Sequence, residues 1–338
     1  MNNKIDENGF PIDFVVTWVD GSDEKWHRKL QQFQLNKTDM DNGDSRYREF
    51  GFFKYWFLGV AKYAPWVNRI WVVTDGQMPD LDLVNKYFPE FATKITVVDH
   101  KEIIPNQYLP TFNSNTIELN AYKINGLAEH FVLFNDDFFI ANWVSPLDFF
   151  DSKGMPKDYG IMGIVQPSEE FQRIVLNDLI IINKKFNKKH FLKDNFFKVF
   201  SIKYGVRNIQ SLLALPYWTI TGFHNPHTPT SYLKQTFKEV YDEFPDLWEI
   251  QNQNKFRMEN DVSHWLMRYW QLVNGKFSPR RYSKFGVLMR VNDDMNRIKK
   301  QFGNKKIVVL NDVELEAEEF NTIRERIENV LENKYIND

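Results

Sequence analysis

The chain has 338 residues, 43% hydrophobic and 26% charged, with a net charge of −2. That length buries a substantial core, as one large α/β unit or two modest domains, and the balanced charge offers no electrostatic footprint for nucleic acid. Cysteine is absent, which excludes disulfides, thiolate chemistry and sulfur-ligated zinc.

The start, Met1 to Phe10, is polar, and no run of about 20 apolar residues occurs. The expected location is therefore cytoplasmic, at most against the inner face of the cell membrane. In chain order, Ile12–Trp18 reads as a strand. Phe50, Phe53, Phe57, Val60 and Ala61 then recur at helical spacing. Arg69–Thr74 and Ile95–Val98 read as strands, followed by a helical pattern in Ile117, Ala121, Ile124 and Ala128. Phe131–Phe134 is a further strand. These strands are nearly continuously apolar, as expected where both faces of a sheet are covered.

Residues 151–215 are less regular and hold a lysine-rich stretch, Lys184 to Lys193. They read as an insertion or lid. Two amphipathic helices follow, on Leu233, Phe237, Val240, Tyr241 and Phe244, and on Val262, Trp265, Leu266, Tyr269 and Val273. Ile307–Leu310 reads as a last strand and Glu316 to Asn333 as a last helix. The expectation is an α/β fold with a mostly parallel, Rossmann-like sheet, a site at the carboxyl ends of its strands and a helical insertion or cover. Three parts are expected: a core over 1–150, an insertion over 151–222, and a helical part over 223–338 with a strand returning to the core.

The chemistry-bearing residues follow the strands. Ile12–Trp18 runs into Asp20-Gly21-Ser22-Asp23, Arg69–Thr74 into Asp75-Gly76-Gln77, Phe131–Phe134 into Asn135-Asp136-Asp137, and Ile307–Leu310 into Asn311-Asp312. Four strand ends are thus expected to bring carboxylates, amides and glycines to one sheet edge, where open α/β sheets bind ligands. Clustered carboxylates repel unless a cation compensates, and Mg²⁺ is usually held by one or two carboxylates plus substrate phosphates. A phosphate-bearing ligand with Mg²⁺ or Mn²⁺ is the economical explanation. Asp and Asn also simply begin turns and cap helices. His227, in His224-Asn225-Pro226-His227, suits proton transfer, and Arg257 suits phosphate. Taken singly, His227 is a turn residue, Arg257 a surface ion-pair partner and Asp261 a helix-start residue.

Together these residues resemble the Stealth family. Ile12 to Asp23 is similar to its opening block. The second block runs from Arg46-Tyr47-Arg48-Glu49-Phe50 through Val73-Thr74-Asp75-Gly76-Gln77 and Leu109-Pro110-Thr111-Phe112-Asn113-Ser114 to Asn135-Asp136-Asp137. His227-Thr228-Pro229 through Phe256-Arg257 to Asp261 resembles the third block, and Leu310-Asn311-Asp312 the fourth. The resemblance implies transfer of a hexose-1-phosphate from a UDP-sugar, with a divalent metal and release of UMP, onto an oligosaccharide or lipid-linked glycan in bacterial capsule, exopolysaccharide or cell-wall synthesis. Peripheral membrane association would accompany a lipid-linked acceptor.

In that reading Asp136 and Asp137 divide metal binding and hydroxyl activation between them. Arg257 holds the transferring phosphate, and His227 exchanges a proton or binds phosphate. Arg48 and Asn113 are donor contacts. Asp23, Asp75 and Asp261 are further binding candidates for the nucleotide or its metal, and Asp312 is an additional metal ligand. Two other classes compete: a metal-dependent glycosyltransferase that releases UDP, and a non-catalytic sugar-binding module whose acidic cluster binds Ca²⁺.

Overall fold

A computed structural model describes residues 9–33, 47–48, 50–282 and 285–337. Most of the polar start, and Arg46 and Glu49 of the second block, lie outside these residues. Ten strands occur among the described residues: β1 Ile12–Thr17, β2 Ile70–Thr74, β3 Ile95–Asp99, β4 His130–Asn135, β5 Phe138–Ile140, β6 Lys157–Asp158, β7 Thr230–Leu233, β8 Ser278–Pro279, β9 Gly286–Arg290 and β10 Ile307–Asn311.

The main sheet has the order β3-β2-β1-β4-β7. Its first four strands are parallel, and β7 closes the edge antiparallel to β4. The strand order reverses between β1 and β4, and the crevice at such a reversal is where doubly wound sheets bind ligands. Thr17 of β1 pairs with both Val73 of β2 and Asn135 of β4. The three strands therefore finish level, and their following loops leave one common edge.

Each strand feeds two cores because successive side chains point to opposite faces. Phe14, Val16, Ile70, Val72, Val132 and Phe134 join one core with the Phe53–Tyr63 and Ala317–Glu332 helices. Val15, Trp71, Val73, Phe131 and Leu133 join the other. That second core also takes in Val175, Leu179 and Ile182 of the Phe171–Lys185 helix and Leu266 and Trp270 of the Trp265–Val273 helix. The 151–222 stretch carries the Phe171–Lys185, Lys188–Val199 and Asn208–Ala214 helices.

Three local expectations change. The Ile307–Asn311 strand does not join the main sheet. It is the centre of a second sheet, β5-β10-β9. The cause is the turn after β4: Phe138, Phe139 and Ile140 are buried, and they leave the first sheet to pair antiparallel with β10. Next, the helix expected through Ala128 stops early. Ser114–Asn120 is α-helical and only a 3₁₀ turn, Ala121–Lys123, follows. There the Asn120 amide donates to Thr116 C=O and to Asn252 Oδ1. Finally, Leu233 closes β7 rather than opening a helix, and the Lys234–Glu243 helix begins one residue later. Leu233 kept the apolar period while its backbone joined the sheet edge.

Gly59 lets the Phe53–Tyr63 helix lie close on β5. A Cβ there would stand 2.9 Å from the Ile140 carbonyl oxygen and 3.1 Å from the Tyr335 ring. Backbone oxygen yields little, so Gly59→Ala should lower stability by about 1–3 kcal/mol, read as a shifted urea midpoint. An unchanged midpoint would mean that the helix sits further from β5 than described.

Candidate active site

Asp136 and Asp137 form the two-residue turn that carries the chain from β4 of the first sheet into β5 of the second. The Leu310 N–H donates to the Asp137 carbonyl at 3.0 Å, which ties the turn to β10. The Asp137 carboxyl lies 3.9 Å from His227 Nε2. Burial pushes its pKa well above the ordinary carboxylate range, and the neighbouring Asp136 carboxylate adds to the shift.

His227 stands edge-on against Phe138, with ring centroids 4.9 Å apart. Burial lowers its pKa, and the nearby Arg257 charge lowers it further. The ring is therefore neutral and able to accept a proton at pH 7. The Arg257 guanidinium lies over the Phe171 ring, 5.5 Å from its centroid, and donates to Ser114 Oγ at 2.8 Å. These contacts hold its planar fork in one orientation beside the histidine.

The loop bearing His227 is anchored from below. Arg268, 1% exposed, forms a two-pronged pair with Asp158, Nε to Oδ2 at 2.7 Å and a second nitrogen to Oδ1 at 2.8 Å. The same guanidinium donates to Asn225 Oδ1 and to the His224 carbonyl. Behind the site, His264 Nδ1 lies 2.6 Å from the Tyr232 hydroxyl, and its Nε2 lies 3.9 Å from Glu118. Burial pulls the His264 pKa down to about 3, helped by Arg268, His227 and Arg257. Arg268, His264, Tyr232 and Glu118 did not emerge from the sequence as site residues. The available signals were the place of Glu118 within the second block and the spacing of His264, three residues beyond Asp261 at the end of the third.

The other residues singled out fall into linked groups. Asp23 accepts from the Lys25 and Trp26 N–H groups and so caps the Glu24–Phe33 helix. Those bonds lower its pKa. Asp75 pairs with Lys29 of that helix at 2.7 Å. Gln77 stitches the two loops: its amide donates to the Asp20 carbonyl and to Asp23 Oδ2, and accepts from the Asp20 N–H. Gly21 permits the approach of the 47–48 segment, since a Cβ would stand 1.8 Å from the Tyr47 carbonyl oxygen. That segment carries Arg48, whose Nε lies 3.7 Å from Asp312.

Asn113 and Asp261 are both fully buried, and their side chains bond to each other at 2.7 Å. Asn113 also donates to the Asn254 and Phe256 carbonyls, while Asp261 accepts from Asn115 and Asn254. In this conformation neither presents surface to a donor. Through these bonds they hold the 254–261 loop that carries Arg257.

The acidic groups bear on a cation in one specific way. Among the described residues, no three His, Asp or Glu side chains gather to hold an ion. Asp312 Oδ2 is buried without a hydrogen bond. Burial raises the Asp312 pKa, opposed by the Val313 N–H and by Arg48. This donor set fits Mg²⁺ or Mn²⁺ in the mode where the protein gives one or two carboxylates and phosphate oxygens complete the shell.

The chain is similar to known proteins along most of its length. Residues 10–38 match conserved region 1 of the Stealth proteins, and residues 46–158 match conserved region 2. The chain is 40% identical over 331 residues to the exopolysaccharide phosphotransferase cps2G of Lactiplantibacillus plantarum, covering 96% of this chain and 94% of that protein. It is 42% identical over 331 residues to the capsular polysaccharide phosphotransferase WcwK of Streptococcus pneumoniae, covering 96% of each. It is 40% identical over 275 residues to the receptor polysaccharide phosphotransferase WefC of Streptococcus gordonii, covering 79% of each. With both conserved regions in order and such identity along almost its whole length, the chain belongs to the Stealth family, alongside these bacterial polysaccharide phosphotransferases.

Proposed function

We propose that the protein transfers a sugar-1-phosphate from a UDP-sugar to a glycan hydroxyl in the synthesis of a capsular or extracellular polysaccharide. The observation that carries this reading is the Asp137–His227 pair, 3.9 Å apart beside Arg257, in a chain so similar to named polysaccharide phosphotransferases.

In the reaction the acceptor oxygen bonds to the phosphorus that bears the sugar. The bond from that phosphorus to the bridging oxygen of the diphosphate breaks, and UMP leaves with that oxygen. The hydroxyl proton passes to the Asp137–His227 pair, whose separation leaves room for a hydroxyl against both. His227 is suited to this because burial and Arg257 keep it neutral. Arg257 offers a planar, oriented fork to the transferring phosphate, where charge develops. The loops after β1 and β2, stitched by Gln77, frame the crevice at the carboxyl edge where the nucleotide belongs. With Asp137 on the proton-accepting side, Asp136 would hold Mg²⁺ or Mn²⁺, which when bound supplies positive charge against the donor diphosphate.

Incubation of the purified chain with a panel of UDP-sugars and a glycan acceptor should release UMP. Chelator should stop the release, and Mg²⁺ or Mn²⁺ should restore it. Asp137→Asn and Arg257→Ala should each cost about 100- to 1000-fold, the range for losing a group that acts at the transition state. Arg257→Lys should recover little, since lysine keeps the charge without the fork. Near-normal rates in folded Asp137→Asn and Arg257→Ala proteins would place the chemistry elsewhere.

The raised pKa of Asp137 also sets a stability signature. Below its ordinary value of 3.8, the carboxyl is protonated both folded and unfolded and has no effect. As pH rises through the higher folded value, the folded state must ionise a sheltered carboxyl beside Asp136, and stability falls. Asp137→Asn removes that penalty. Its melting temperature in chelator should exceed that of wild type at pH 7, with the gap closing below 3.8. An equal or lower melting temperature at pH 7 would show that Asp137 ionises without cost.

A further inference from the structure

The Asn208–Ala214 helix is turned inside out. Ser211 and Ala214 are buried, while Ile209, Leu212 and Leu213 face solvent. A surface helix in water does the reverse. The orientation is held in place: the Met162 N–H donates to Ser211 Oγ, and the buried Lys188 ammonium donates to the Ala214, Leu215 and Tyr217 carbonyls. Around this helix further apolar side chains stand out. Ile202 is 94% exposed, Trp218 90%, Phe197 87% and Val206 82%.

The same segment is strongly basic. Residues 184–218 contain eight Lys and Arg against the single acidic Asp194, a net charge of +7 in a chain whose total is −2. Lys184, Lys189, Lys193 and Lys203 are exposed. A large exposed apolar patch marks an interaction surface, and exposed lysines accompany this one: Lys203 follows Ile202, and Lys189 and Lys193 share a helix with Phe197, while Lys188 is buried and Lys185 pairs with Glu243. A second copy of the chain is a poor occupant, since a two-fold contact would bring the two basic fields together. No helix of the described residues is long and apolar enough to cross a membrane, so the patch would lie on a bilayer rather than span it.

We propose that the 196–218 surface docks this protein onto an anionic lipid bilayer. The apolar tips enter the interface and the lysines meet the headgroups. This goes beyond the proposed reaction, yet the two surfaces are connected. The Phe171–Lys185 helix begins with Phe171 under Arg257. Its Asn177 amide donates to the Glu259 and Asp261 carbonyls of the Arg257 loop. Further along, its Leu176, Ile180 and Lys184 line a cleft of about 530 Å³ with Ile164 and Thr219. One helix of roughly 20 Å thus runs from the active site toward the patch.

Sedimentation of the full chain with vesicles tests this. It should pellet with vesicles of phosphatidylglycerol in phosphatidylcholine and stay in solution with phosphatidylcholine alone. Ile202→Ser combined with Trp218→Ser should weaken binding at least tenfold. Lys189→Ala combined with Lys193→Ala should weaken it about thirtyfold at low salt. Circular dichroism should be unchanged in both, because all four side chains are exposed. No pelleting with phosphatidylglycerol would overturn the proposal, as would binding that both pairs of substitutions leave intact. So would a dimer, seen by sedimentation velocity without vesicles, that Ile202→Ser with Trp218→Ser dissociates.

Discussion

Two adjacent carboxylates at the joint between two sheets are the constraint around which this molecule is organised. β4 ends the first sheet's central run at Asn135, and β5 opens the second sheet at Phe138. The turn between them has only Asp136 and Asp137. Its backbone is pinned on the far side by Leu310 of β10. Burial raises the energy of ionising Asp137, and the neighbouring Asp136 carboxylate raises it further. A site that strains to hold negative charge has a standing affinity for protons and cations, which phosphoryl-type transfer can use.

The rest of the site answers that charge with arginines rather than with protonated histidines. Arg257 lies beside His227, and Arg268 lies beneath the His224–His227 loop. Burial pushes His227 and His264 down and pulls His224 to about 4, and neighbouring arginine charges, Arg257 on His227 and Arg268 on His224 and His264, add to the shift. The histidines are thus kept in the form that accepts protons. Arg268 is itself stabilised by Asp158, a buried pair whose disruption typically costs about 3–5 kcal/mol. The histidine loop therefore inherits its position from an ion pair reaching across 110 residues of sequence.

The features legible in the sequence were those written locally. The apolar runs of β1, β2, β3 and β4 announce strands buried on both faces, and the acids that end them announce the carboxyl edge. Asp136 and Asp137 stand out because so apolar a stretch stops at them and resumes with Phe138. What depends on distant pairing did not show. Nothing within Ile307–Asn311 says which sheet it joins, because that is decided by β5 turning away from β4. Asn113 and Asp261 have the residue types of ligand contacts, and only their mutual burial gives them a structural place. Glu118, Tyr232 and His264 meet across three separate elements. In the Asn208–Ala214 helix the apolar residues have ordinary helical spacing, so its outward face is visible only once Ser211 is seen inside.

The central claim is that the bond broken lies at phosphorus and that Asp137, His227 and Arg257 surround it. A UDP-sugar with a heavy-oxygen label in the bridge between the sugar's anomeric carbon and phosphorus tests it most directly. Mass spectrometry after turnover should find the label in the polysaccharide product, within the sugar–phosphate linkage, with unlabelled UMP released. Label recovered in UDP would mean that the sugar's own carbon–oxygen bond breaks, and would contradict the account.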